Sequence, residues 1–66
     1  MENKFYSMLM QFTQGTTPSR TRLKRKYGEA LIDEALNLGL IKEIRQNKYG
    51  DPIYAITEQG KEKRDY

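Results

Sequence analysis

Gly39 separates two stretches with different apolar spacing. Before it, apolar residues recur at intervals of three and four, the period of helices that bury one face. After it they come in short runs between turn residues, which is strand behaviour. A chain of 66 residues with that change of period reads as α+β, three helices followed by a two-stranded hairpin. An isolated hairpin is marginal in water, so this one must lie against the helices. The expectation is one domain over 1–66, with 61–66 a polar tail.

The first helix is expected over 2–13, where Phe5, Met8, Leu9 and Phe12 make one apolar face. Tyr6, Met10 and Thr13 sit off that stripe. Gly15 suits a helix end, where a left-handed residue costs least. Thr17 followed by Pro18 suits a helix start: the threonine caps, and proline at the first helical position loses no bond it needed. The second helix is expected over 18–25, with Leu23 and Tyr27 turned inward. Gly28 marks a turn before a third helix over 29–38. Leu31, Ile32, Ala35, Leu36 and Leu38 form its buried side, and Glu29, Asp33, Glu34 and Asn37 its exposed one. One continuous helix over 18–38 is the alternative, with a penalty of about 1 kcal/mol for Gly28 relative to alanine.

A strand is expected over 40–45, with Leu40 and Ile44 inward and Lys42 and Arg45 wet. Residues 46–51 hold Asn47, Gly50 and Asp51-Pro52, turn formers for different reasons. The return strand is expected over 53–57, with Tyr54 and Ile56 on one face and Ile53 and Ala55 on the other. Thr57 is placed to cap a final short helical turn, and Gly60 reads as a close approach after the second strand.

Net charge is only +3, yet Arg20, Arg22, Lys24, Arg25 and Lys26 lie together with no acid among them. Such a block raises local anion affinity. The chain has no cysteine and no histidine. Disulfide chemistry is excluded, and the usual imidazole base is missing. No metal site, cofactor or catalytic group is expected, and so no enzyme. No apolar stretch approaches the length of a membrane span. The first residues lack the apolar core of a signal peptide, so a cytoplasmic location is expected.

Two stretches at a fixed separation carry a resemblance. The first is Ala35-Leu36-Asn37-Leu38-Gly39-Leu40-Ile41, and the second is Tyr54-Ala55-Ile56-Thr57-Glu58-Gln59-Gly60, with a polar tip between them. Over 18–60 the chain resembles the winged helix-turn-helix family of DNA-binding regulators. Free-standing domains this small resemble regulators of phages, plasmids and mobile elements. The resemblance implies that residues 28–37 form a recognition helix for the major groove of double-stranded DNA. It also implies that 47–50 form a wing tip and that the protein works as a homodimer on two half-sites.

The chain departs from that pattern in one respect. Its third helix exposes no arginine or lysine, the usual partners of guanine. Phosphate contacts are therefore expected from Arg20, Arg22, Lys24, Arg25 and Lys26, with Arg45 and Lys48 beside the wing. Base or groove contacts are expected from Glu29, Asp33, Asn37 and Tyr49. Phosphate contacts position a protein without reading sequence. A dimer interface is expected at Phe5, Tyr6, Met10 and Tyr66, because the first helix carries more apolar surface than so small a core needs. The expected function is sequence-specific DNA binding in transcription regulation by occupancy of a site. The alternative is a protein-docking module that uses the acidic face of the third helix. RNA binding through the basic block lacks the exposed aromatic platform it would need.

Overall fold

The computed structural model describes residues 4–65. The order of elements is α1 (Tyr6–Leu9), a 3-10 helix η1 (Met10–Gly15), α2 (Arg20–Tyr27), α3 (Glu29–Asn37), β1 (Ile41–Gln46), β2 (Pro52–Ile56) and α4 (Glu58–Asp65). This is the expected α+β arrangement of helices followed by an antiparallel hairpin, winged-helix-like, with a further helix at the end.

The first helix is shorter than its apolar stripe suggests. Only Tyr6–Leu9 is α-helical, and the chain then tightens into η1. Phe5, Met8, Leu9 and Phe12 are all buried as expected. They meet Leu23, Ile32, Ala35, Leu40, Ile41 and Tyr54 in one core.

α2 begins two residues later than Thr17 and Pro18 suggest. Pro18 lies outside the helix, and its carbonyl accepts from the Tyr54 amide at 3.0 Å. The next residue, Ser19, bridges to Ile53. Pairing along β2 thus holds this segment extended and overrides the local preference of proline for a helix start. Ser19 becomes the cap, its hydroxyl accepting from the Arg22 amide at 3.3 Å. Gly28, at φ 88°, joins α2 to α3. A left-handed residue there rules out one continuous helix.

α3 ends in a Schellman motif. The Leu40 amide reaches the Ala35 carbonyl at 2.9 Å, and the Gly39 amide reaches Leu36 at 3.1 Å. Leu38 was expected in the core and is 53% exposed. The reversal at Gly39 turns Leu38 out and brings Leu40 in. Ile44 was also expected inward and is 41% exposed. The register steps from Glu43↔Tyr54 to Arg45↔Ile53, so Ile44 is the extra residue of a β-bulge. A bulge shifts the alternation of faces, and the buried β1 residue is Ile41. Ile53 and Tyr54 are both buried, which breaks the expected alternation in β2 as well.

The expected polar tail is helical. Thr57 caps α4, with its hydroxyl accepting from the Gly60 amide at 3.0 Å. The same hydroxyl lies 2.5 Å from the Gly39 carbonyl and 3.0 Å from that of Leu40. α4 therefore starts pinned to the end of α3, and it packs on α1 and β2. No helix among the described residues is long and apolar enough to cross a membrane.

Candidate nucleic-acid interface

α2 carries the basic block as eight residues anchored by buried Leu23 and half-buried Tyr27. The Tyr27 hydroxyl donates to the Ser7 carbonyl at 3.1 Å and ties α2 to α1. Residues four apart share a helix side, so the block is divided in two.

Arg20 and Lys24 face α3. The Arg20 guanidinium donates to the Tyr54 hydroxyl at 3.0 Å and to the Asp33 carboxylate at 2.9 Å. Glu29 lies 3.8 Å away. These bonds, first from Tyr54 and then Asp33, hold the proton on Arg20 more firmly than on an ordinary arginine. Lys24 pairs with Glu29 at 3.5 Å, and Lys4 with Glu34 at 2.7 Å. Every acid of α3 therefore has a cation beside it from elsewhere in the chain.

Arg22, Arg25 and Lys26 point the other way and are exposed. Lys26 lies over the Tyr27 ring. Among the described residues, no carboxylate comes within ion-pair distance of Arg22 or Arg25. The same holds of exposed Arg45 on β1. Lys48 sits over the Tyr49 ring at 5.2 Å, and Tyr49 at the wing tip is 81% exposed. Asn37 is exposed at the end of α3.

The wing is built around Asn47. Its side-chain oxygen accepts from the amides of Tyr49 at 2.9 Å and Asp51 at 3.0 Å. The Gly50 amide closes back on the Asn47 carbonyl. The Asp51 carboxylate then accepts from the Thr21 amide at 3.2 Å, in the first turn of α2. Partial burial pushes that carboxyl upward. Hydrogen bonds from Thr21 and Ser19 and the charge of Arg20 outweigh this, and the group is held below the usual aspartate value. The base of the wing is thus attached one residue from Arg22.

The expected dimer residues are scattered in fate. Phe5 is 4% exposed and belongs to the chain's own core, which corrects its assignment to a surface contact. Its place in the stripe with Met8, Leu9 and Phe12 already carries that signal. Tyr6 and Met10 are exposed, and Tyr66 lies outside the described residues. Sequence reasoning missed Asp51 and the Tyr54 hydroxyl as parts of this site. Asp51 read only as a turn former and Tyr54 only as core, since neither contact is local in sequence. No three potential metal-ligating side chains cluster among the described residues.

No family model, curated protein or solved structure matches this chain.

Proposed function

We propose that this domain binds double-stranded DNA and acts by occupying its site, without covalent chemistry. The observation that carries this reading is the division of charge on α2. The acids of α3 are matched inside the chain, while Arg22 and Arg25 on α2 and Arg45 on β1 are exposed with no ion-pair partner among the described residues. Positive charge therefore concentrates where a polyanion can reach it. Arg22, Arg25, Lys26, Arg45 and Lys48 hold phosphates. Asn37 and Tyr49 supply what sequence discrimination there is, since α3 presents no basic residue to guanine. Use in transcription regulation as a homodimer through Tyr6 and Met10 is the wider form of the same proposal. Docking of a protein on the acidic face ranks lower, because Glu29 and Asp33 already hold cations.

The test is a fluorescence-anisotropy titration with duplex DNA at about 50 and about 200 mM salt, where several phosphate contacts predict a loss of roughly ten-fold or more. No binding at the lower salt overturns the proposal.

A further inference from the structure

We propose that Arg20 is a positioning residue that sets α3 against the wing, and not one of the phosphate contacts. This inference rests on the DNA-binding reading above. Arg20 stands at the start of the basic block and is indistinguishable there from its neighbours by charge. Its surroundings set it apart. The side chain is 24% exposed, against 58% for Lys24. One arm of its fork donates to a hydroxyl on β2 and the other to a carboxylate on α3. The hydroxyl belongs to Tyr54, whose ring is buried in the core and cannot move with the arginine.

A planar guanidinium with fixed donor directions suits such a bridge, and an ammonium does not. Turning the fork toward a phosphate would draw it away from the two partners that fix its plane. That would leave Asp33 uncompensated on the face that approaches the duplex. With the bridge closed, α3 has its charge balanced and its distance to β2 set. The Asp51 contact to the Thr21 amide holds the other end of the same junction. Recognition helix and wing are then presented to DNA as one rigid pair, and rigid presentation lowers the ordering cost of binding.

The experiment compares wild type with Arg20→Gln, Arg20→Lys, Tyr54→Phe and Arg22→Gln on one duplex. Affinity is measured across a salt series at a temperature where circular dichroism shows each variant folded. A purely stabilising role would leave the affinity of folded protein unchanged. Arg22→Gln is expected to lower the slope of log K against log salt by about 0.9. Arg20→Gln is expected to keep the wild-type slope and lose affinity at every salt. Arg20→Lys, which retains the charge, and Tyr54→Phe, which changes none, are each expected to weaken binding by about five-fold. A reduced slope for Arg20→Gln, with affinity kept in Arg20→Lys and Tyr54→Phe, makes Arg20 a phosphate contact. That outcome overturns the inference while DNA binding stands. Absence of wild-type binding at low salt overturns both.

Discussion

The Asp51 carboxylate at the base of the wing accepts a hydrogen bond from the backbone amide of Thr21, at 3.2 Å, across thirty residues of sequence. The carboxylate thereby satisfies an amide that α2 leaves without an intrahelical partner. It also places a negative charge at the positive end of the helix. One side chain both caps α2 and fixes the wing to it, and this sets a pH dependence.

The Asp51 carboxyl is held below the ordinary aspartate value in the folded chain. Its stabilising effect is therefore full above the unfolded value and fades as pH falls through the folded one. Asp51→Asn is expected to unfold more easily than wild type by a constant margin between about pH 5 and 7, narrowing below about pH 4. Urea midpoints at several pH values measure this. A margin that stays constant to the lowest pH contradicts the assignment.

Gly60 offers a test with opposite signs. It sits inside α4, where alanine ordinarily gains about 1 kcal/mol over glycine. Here a Cβ would overlap the carbonyl oxygen of Leu40 and a methylene of Ile56. Gly60→Ala is accordingly expected to destabilise by about 1–3 kcal/mol, the usual penalty of overpacking. A stabilised variant in chemical unfolding would mean that α4 does not approach Leu40 this closely.

Thr57 joins the end of α3 to the start of α4 through its hydroxyl. Thr57→Val keeps the shape and removes the hydroxyl, and should lower stability by about 1 kcal/mol, the typical worth of a cap. Hydrogen exchange should show the loss first at the Gly60 amide. Thr57→Ser should keep most of the protection.

The bulge separates two isoleucines three residues apart. Ile41→Ala removes a core side chain and is expected to lower stability by about 2–5 kcal/mol. Ile44→Thr changes an exposed one and should stay within about 0.5 kcal/mol. Equal effects would mean that Ile44 points inward and that no bulge exists.

Arg22 and Arg25 are the cleanest probes of the proposed DNA contact, because changing them breaks no ion pair among the described residues. Replacing both by glutamine should leave thermal unfolding nearly unchanged and lower the salt slope of DNA binding by about 1.8. An unchanged slope would remove α2 from the interface.

Much of the architecture is legible before any coordinates. The apolar stripe of Phe5, Met8, Leu9 and Phe12, the break at Gly28, the reversal at Gly39 and the wing turn at Asn47 and Gly50 all follow from neighbours within a few residues. The close approach at Gly60 is visible in the same way, as a glycine at a fixed distance after a strand ending. Charge is legible only as a total. Nothing in the run from Arg20 to Lys26 distinguishes Arg20, which bridges two elements, from Arg22, which faces outward.

Periodicity, caps and turn formers act over one or two helical turns, so the α+β order and most element types are written locally. Pairing acts between segments distant in sequence, and it decided the remainder. The strand-like hold of β2 on Pro18 and Ser19 moved the start of α2. The bulge turned Ile44 outward, and docking on α1 and β2 made a helix of 58–65. The meeting of α2, α3 and β2 at one guanidinium divided the basic block into an internal bridge and an outer face. Ion pairs and ladder hydrogen bonds depend on which surfaces come within about 4 Å. That distance is a property of the assembled fold.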